Sequence, residues 1–254
     1  MVGSNSFVTT ETKMADTRLK MALVGCGGIA QAHWQGIQNI ATRVDVTAVV
    51  DSNKKAAKSM AEQTGAEAFF DIEEALKQGD FDAVDIMLPH NLHEFAALAS
   101  FKAGKHVLLE KPMAHTLDSA ERILEASRKI DTVFMIAEQA QYWPDVIKAR
   151  ELMDSGEIGE VISASGNFYD RVLTDSDSSP PWRYILSISG GGLTMDGGAH
   201  WIRPLRMMMG EVEEIIGVTG HHVPRMEGES WSRMVMKFGR DGVGVLSCAN
   251  IRNT

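Results

Sequence analysis

The sequence LKMALVGCGGIA, at residues 19–30, joins a short apolar strand-forming run to a glycine-rich turn and the start of a helix-like stretch. Its glycines have the spacing Gly-x-Gly-x-x-Ala, which between a strand and a helix is the fingerprint of a dinucleotide-binding unit. Gly25 permits a tight turn, Gly27 lets the backbone approach a pyrophosphate, and Ala30 allows close packing of the helix on the sheet. The helix N-terminus offers free N–H groups to phosphate. By itself the pattern is equally compatible with an ordinary glycine-rich turn.

Asp51 is the second feature of this nucleotide-binding pattern. It ends the next strand-like run, about 20 residues after the glycines, where a carboxylate can accept hydrogen bonds from ribose hydroxyls. That position favours NAD over NADP, although Ser52, Lys54 and Lys55 could instead bind a 2′-phosphate, so NADP stays possible. The alternative for Asp51 is that it only caps the following helix. Together, the glycines and Asp51 predict a bound dinucleotide.

Outward from this segment, short β-rich runs alternate with stretches of helical period as far as residue 138. This alternation predicts βαβ units, and hence an α/β fold with a doubly wound parallel (Rossmann) sheet over residues 19–138. The six strand-like runs are Lys20–Gly25, Val44–Asp51, Ala66–Phe70, Ala83–Leu88, His106–Leu109 and Thr132–Ile136. The runs have little polar alternation, as expected for strands that are covered on both faces.

After residue 138 the regular alternation of strand-like and helix-like runs ends, and residues 139–254 predict a second, α+β domain for substrate binding and oligomerisation. Long strand-like runs, two of them joined by the turn Gly239–Gly242, indicate an open, mainly antiparallel sheet. The chain stops just after a strand, so we expect an incomplete, apparently truncated sheet whose exposed edges are covered by further strands or by a partner chain. A homo-oligomer formed through this sheet is therefore expected.

Composition restricts the class of protein. The 254 residues have a formal net charge of −9, which argues against a nucleic-acid partner, and no apolar run approaches a membrane-spanning length. Cys26 and Cys248 form neither a disulfide framework nor a metal spacing, so no metal site is predicted and a cytoplasmic location is expected. Residues 1–18 are polar and are expected to be a disordered leader; a weak organelle-targeting leader is the alternative.

Two loops lie at carboxyl ends of predicted parallel strands, the edge where open α/β sheets bind ligands. They are Pro89–His93 and Glu110–Pro112. Within them Asn91 could be an ordinary helix cap and His93 a structural histidine, whereas Lys111 would be costly there unless it is paired or functional. In the second domain Asp196 and His200 are four residues apart. On one helix face the carboxylate could orient the imidazole as an acid or base; the alternative is a capping Asp beside a core His.

These motifs together resemble the glucose–fructose oxidoreductase/inositol dehydrogenase (Gfo/Idh/MocA) family. The resemblance runs from about residue 19 to residue 210 and also includes Ala103–Val107. It implies an NAD(P)-dependent oxidoreductase acting on a sugar, polyol or related cyclic alcohol, with Lys111 and His200 catalytic and Asp196 binding and orienting. The residues expected to bind the cofactor are Gly25, Gly27, Gly28, Ile29, Ala30, Asp51, Pro89, Asn91, His93, Glu110 and Lys111. Those expected to bind substrate are Tyr142, Trp182, Arg183, Asp196 and Arg203.

Arg203 is a departure from the family pattern, because many relatives carry a carboxylate there. It could attract an acidic substrate or form a structural ion pair. Together with the early end of the chain, it motivates an alternative function as a catalytically silent nucleotide-binding scaffold or sensor. A redox-neutral enzyme with tightly held NAD is a third possibility.

Overall fold

The computed structural model describes residues 18–171, 180–239 and 241–251. The predicted leader lies outside these residues except for Arg18, whose guanidinium pairs with the Asp45 carboxylate at 3.1 Å. Residues 172–179 of the polar loop before Pro180 also lie outside them.

The first sheet has six parallel strands in the order β3-β2-β1-β4-β5-β6. They are β1 (Leu19–Val24), β2 (Val44–Val50), β3 (Glu67–Phe69), β4 (Ala83–Ile86), β5 (His106–Leu109) and β6 (Phe134–Ile136). This order confirms the predicted doubly wound fold. The direction of winding reverses between β1 and β4, and at such a switch point the strand ends leave a crevice for a ligand.

Five helices cover the faces of this sheet. They are α1 (Gly28–Gln38), α2 (Lys54–Thr64), α3 (Ile72–Gln78), α4 (His93–Lys102) and α5 (Leu117–Ser127). Polar residues start several of them: the side chain of Asn53 accepts from backbone N–H groups of α2, and Thr116 does the same for α5. Ala22 and Val84 belong to the apolar cluster on one face of the sheet, and Leu23 to the cluster on the other. The strands are therefore buried on both sides, as their apolar sequences predict.

The second sheet has four strands in the order β7-β10-β9-β8. They are β7 (Ser163–Arg171), β8 (Val212–Gly220), β9 (Trp231–Phe238) and β10 (Val243–Ile251). The pairs β8–β9 and β9–β10 are antiparallel, which confirms the predicted character of the sheet, whereas β7 pairs with β10 in parallel. The Phe238 N–H donates to the Gly242 carbonyl at 2.8 Å, as expected for the predicted hairpin.

The second unit also contains α-helical and π-helical segments. They are α6 (Pro144–Asp154), α7 (Leu186–Ser189), a π-helical segment (Thr194–Gly198) and α8 (Ala199–Met209). Of these, the π-helical segment and α8 contact the sheet. Leu205 of α8 joins Phe238 and Leu246 of the sheet in one buried apolar cluster. Within the described parts of the chain, no helix is long and apolar enough to cross a bilayer.

Candidate active site

A cleft of about 490 Å³ lies between the carboxyl edge of the first sheet and the helical segments of the second unit. It brings together most of the predicted site residues from distant parts of the chain. Its lining includes Gly25, Gly27, Gly28, Ile29, Asp51, Pro89, Glu110, Lys111, Trp182, Arg183 and His200. The cleft therefore combines the glycine-rich turn, the Glu-Lys-Pro turn and the histidine of α8.

The glycine-rich turn has the geometry that a pyrophosphate needs. Gly25 has a φ of +97°, and a Cβ there would lie 2.4 Å from the Met87 carbonyl oxygen, so this position requires glycine. Gly27 and Gly28 have no atom within 4 Å of where a Cβ would stand, which leaves the backbone open to the cleft. Gly27 is the N-cap of α1 and has no side chain to cap it, so the first N–H groups of the helix stay available to phosphate. Ala30 is fully buried, as close packing on the sheet predicts.

The Asp51 carboxylate connects the glycine-rich turn to the end of β2. One oxygen accepts from the Cys26 N–H at 2.8 Å, and the other accepts from the Asn53 N–H at 2.7 Å. The cap of α2 is Asn53 rather than Asp51, so the alternative reading of Asp51 as the helix cap is wrong. Because each carboxylate oxygen has two lone pairs, Asp51 can still accept from ribose hydroxyls. That role stays a prediction.

Lys111 is held by contacts with the π-helical segment. Its Nζ donates to the Asp196 backbone oxygen at 2.8 Å and to the Asp196 carboxylate at 3.1 Å, while its own N–H donates to Glu110 at 3.0 Å. The other carboxylate oxygen of Asp196 accepts from Arg183 Nε at 3.0 Å. Burial raises the pKa of Asp196, but the charges of Lys111 and Arg183 outweigh it, so that this pKa lies below its ordinary value. The lysine head is thus fixed at the cleft beside an ionised carboxylate.

The π-helical segment lies close against the second sheet because residue 197 is a glycine. A Cβ on Gly197 would lie 1.9 Å from the Phe168 ring, so a larger residue would force this segment away from the second sheet. π-Helical turns are rare and occur often at functional sites.

His200 has a different partner from the predicted one. Its Nδ1 lies 2.7 Å from the Glu138 carboxylate, whereas both carboxylate oxygens of Asp196 contact the cations Lys111 and Arg183. The prediction that Asp196 orients His200 is therefore wrong. Glu138 was not predicted, because it follows β6 in the first unit and is 62 residues away from His200 in sequence.

The Pro89–His93 loop contains two histidines, and the one that lines the cleft is His90, for which no role was predicted. His90 lines the cleft, with Nδ1 2.8 Å from the Ser189 carbonyl and its ring edge-on to Trp182. Burial lowers the pKa of His90 to about 4, so its ring is neutral at pH 7. His93 is 0% exposed, and its ring nitrogens lie 2.8 and 2.9 Å from the carbonyls of Leu88 and Pro112. The His93 side chain thus joins two loops beneath the cleft, and its predicted contact with the cofactor stays a prediction.

Five further predicted residues do not line the cleft: Ala30 and Asp196, described above, and Asn91, Tyr142 and Arg203. Asn91 is partly buried, and its Oδ1 has no hydrogen-bond partner among the described residues. Tyr142 is 58% exposed and lines a neighbouring side chamber of about 320 Å³. The Arg203 guanidinium donates twice to Gln141 Oε1, at 3.2 and 2.9 Å, so its contact in the structure is with a neutral amide rather than with a carboxylate. Direct contact of these side chains with cofactor or substrate stays a prediction.

Comparison with known families agrees with this geometry. Residues 19–138 match the family model described as an oxidoreductase family with an NAD-binding Rossmann fold. Residues 146–254 match the GFO/IDH/MocA C-terminal domain. The chain belongs to the Gfo/Idh/MocA family. The match of the first unit also confirms NAD as the predicted cofactor.

Individual members of the Gfo/Idh/MocA family are moderately similar. A levoglucosan dehydrogenase of Pseudarthrobacter phenanthrenivorans is 28% identical over 89% of this chain and 60% of that protein. An inositol 2-dehydrogenase of Corynebacterium glutamicum is 31% identical over 58% of this chain and 44% of that protein. The crystal structure of an oxidoreductase from Thermotoga maritima superposes with a TM-score of 0.85 at 28% identity, covering 92% of this chain and 72% of the other. The chain spans less than two thirds of the length of the two curated relatives.

In this Gfo/Idh/MocA chain a buried charged cluster lies directly beneath the cleft. His33 of α1 stands between two carboxylates, with Nδ1 2.7 Å from Asp85 of β4 and Nε2 2.9 Å from Glu110. Burial opposes protonation of the ring, but the hydrogen bonds to Asp85 and Glu110 outweigh it and raise the pKa of His33 to about 10. The sequence offered one signal for this cluster: Asp85 interrupts an otherwise apolar central strand. The cluster joins α1 to the turn that carries Lys111.

This cluster predicts a pH-dependent stability. An unfolded His has a pKa near 6.5, so the stabilisation from His33 is fully present below about pH 6.5 and is lost progressively as pH rises to about 10. The slope is at most about 1.4 kcal/mol per pH unit. Urea unfolding between pH 6.5 and 10 should show the free energy of unfolding of the wild type falling more steeply than that of His33→Gln. Parallel curves for the two proteins would contradict a protonated His33.

Proposed function

We propose that this chain is a nicotinamide-dependent oxidoreductase that transfers hydride between NAD and a carbon bearing a hydroxyl group in a sugar, polyol or related cyclic alcohol. The observation that carries the proposal is the meeting of Lys111 and His200 in the cleft that the glycine-rich turn and Asp51 also line. The relatives named as levoglucosan and inositol dehydrogenases support this substrate class. Residues 19–138 would bind the cofactor and residues 139–254 would complete the substrate site.

The residues present fit a dinucleotide. Gly27, Gly28 and the start of α1 would hold the pyrophosphate, Asp51 the adenosine ribose, and Pro89 and Glu110 the nicotinamide end. When bound, NAD supplies the acceptor for the hydride.

The chain's own residues would handle the proton and the charge on the substrate oxygen. His200 takes the hydroxyl proton at Nε2, the ring nitrogen that is not turned to Glu138. Lys111 donates to the same oxygen and stabilises the alkoxide as it forms; in the reverse direction it polarises the carbonyl. Asp196 fixes the Lys111 head through two contacts, and Arg183 stacked on Trp182 holds Asp196 from the other side. Trp182 and Arg183 would then contact the substrate at the cleft wall.

The first test is thermal unfolding with NADH and with NADPH. A ligand at about 100 times its dissociation constant adds roughly 2.7 kcal/mol. At about 2–4 °C per kcal/mol, the midpoint should rise by several degrees with NADH and by less with NADPH. Levoglucosan and myo-inositol are the first substrates to assay, by absorbance of the NADH formed. A cooperative transition that neither nucleotide shifts would overturn the proposal.

The silent-scaffold alternative is less well supported, because Lys111 and His200 both line the cleft and Asp196 holds the Lys111 ammonium. A redox-neutral enzyme would differ in one measurable way: its NAD would co-purify and resist dialysis.

We also propose a homo-oligomer formed through the second sheet. On the outer face of this sheet Ile216 pairs with Val235, and Val235 with Val245, forming an exposed apolar stripe across three strands. Such a stripe is typical of an interaction surface. Light scattering on the purified chain tests it, and a monomer at micromolar concentration would overturn it.

We also propose a cytoplasmic location. Cys26 and Cys248 are both free thiols, which suits a reducing compartment. Cell fractionation tests it, and recovery of the protein in an oxidising compartment would contradict it.

A further inference from the structure

We propose that Glu138 is the positioning carboxylate of His200, a role that the sequence pattern suggested for Asp196. The inference rests on the proposed function, because it assigns Glu138 to the base of that reaction. Glu138 would act through His200 in two ways: it keeps the proton on Nδ1, and it stabilises the ring when Nε2 takes a second proton.

The Glu138 carboxylate is held in place by its own backbone. Its Oε1 accepts from the Ala140 N–H at 2.9 Å, at the start of the 3-10 turn Gln139–Tyr142. The same oxygen lies 2.7 Å from His200 Nδ1. Because Oε1 already receives one N–H donor from the main chain, the ring nitrogen facing it is best placed as a second donor. This geometry selects the imidazole tautomer with hydrogen on Nδ1 and leaves the Nε2 lone pair free.

The charge of Glu138 supports the same role. Its side chain is 12% exposed, and burial raises its pKa, but the contacts with His200 and Ala140 and the charge of Lys111 outweigh this and bring the pKa below its ordinary value. An ionised carboxylate beside a ring that gains a proton lowers the energy of the protonated state. The other charged groups near Glu138 are His33 and Glu110, which line the same side chamber.

Packing on α8 keeps the ring in this orientation. The Trp143 ring lies with its centroid 6.1 Å from that of His200 and also packs edge-on against Trp201. Trp143 directly follows the turn that Glu138 begins, so one short segment supplies both the carboxylate and the aromatic wall. His200 therefore obtains its orientation from the segment after β6 rather than from its own helix.

Two substitutions separate the effect of the negative charge of Glu138 from the effect of its hydrogen bonds. In Glu138→Gln the amide oxygen can still accept from Ala140 and from Nδ1, so the tautomer is retained while the charge is lost. Glu138→Leu removes both the charge and the hydrogen-bond acceptor. The matched control is Glu121→Gln, an exposed glutamate on α5.

We expect Glu138→Gln to lower kcat about tenfold and Glu138→Leu about 100-fold, with KM and NADH affinity within about twofold of the wild type. The acidic limb of the kcat profile should move to lower pH in Glu138→Gln, because a protonated ring loses its anionic neighbour. A purely structural role would not move this limb. In a His200→Ala background, Glu138→Gln should have no further effect.

A measurement without cofactor or substrate tests the same inference. Nitrogen-15 NMR of the histidine rings should show His200 with hydrogen on Nδ1 in the wild type and in Glu138→Gln, and a mixture of tautomers in Glu138→Leu. A wild-type ring with hydrogen on Nε2 would overturn the inference even if no substrate is turned over. Wild-type kcat and pH profile in Glu138→Gln, with loss of activity in His200→Ala, would also overturn it but leave the proposed function intact. Full activity of His200→Ala would instead overturn the base assigned in the proposed function.

Discussion

Lys111→Met is expected to lower kcat/KM about 10³-fold for the best substrate in the assay panel. The substitution keeps most of the length of the side chain but removes the ammonium that would stabilise the alkoxide. It also leaves Asp196 with Arg183 alone as its cationic partner. Because the glycine-rich turn and Asp51 are untouched, the dissociation constant of NADH should change by no more than about fivefold. Steady-state kinetics and NADH fluorescence titration measure the two quantities separately.

The matched control for Lys111 is Lys58→Met, on the exposed face of α2. It should retain wild-type kcat/KM and NADH affinity. Near-native turnover by Lys111→Met would contradict the catalytic assignment. A parallel loss of NADH affinity and turnover would instead move Lys111 from catalysis to cofactor binding.

Gly25→Ala is expected to weaken NADH binding by at least about 100-fold and to lower the unfolding midpoint. Its φ of +97° is unfavourable for alanine, at a cost of about 1–2 kcal/mol, and the new Cβ would stand 2.4 Å from the Met87 carbonyl oxygen. That oxygen belongs to the backbone after β4, so relief requires the glycine-rich turn or the neighbouring strand end to move. Either movement displaces the N–H groups that would bind the pyrophosphate.

Gly36→Ala in α1 is the control for Gly25→Ala. Nothing lies within 4 Å of a Cβ at Gly36, and the residue is in a helix interior. Alanine there should stabilise the protein by up to about 1 kcal/mol and leave NADH binding unchanged. Calorimetry and NADH titration of the two variants should therefore give opposite shifts in the midpoint. Equal NADH affinity in Gly25→Ala and the wild type would contradict the assigned role of the turn.

Much of the first unit was predictable because its signals are local. Residues such as Leu23 and Val24 belong to short apolar runs, the helix caps lie within three residues of the groups they bond, and Gly25 precedes Gly27 in a fixed spacing. The parallel direction of the strands follows from the helices that connect them as βαβ crossovers. The second sheet was predicted in its hairpin, where pairing is also local, but the parallel pairing of β7 with β10 joins segments far apart in sequence.

Part of the candidate site was predictable, because several of its residues follow the ends of parallel strands and so lie at the carboxyl edge of the first sheet. Lys111, Asp51 and His200 all reach the cleft as expected. The partners of these residues were not predictable, because each depends on contacts between distant segments. The spacing of Asp196 and His200 suggested a pair on one helix face, yet the cations Lys111 and Arg183 draw Asp196 away and Glu138 contacts His200 instead.

By itself, the sequence determined the order of strands and helices, the glycine-rich turn and the residue types at the sheet edge, because these depend on neighbours a few positions apart. Only the tertiary structure decided which histidine of the Pro89–His93 loop lines the cleft, which carboxylate contacts His200, and that His33 lies between Asp85 and Glu110. A buried ionisable group needs a partner of opposite charge or a hydrogen bond, and the sequence pattern does not show which distant residue supplies it.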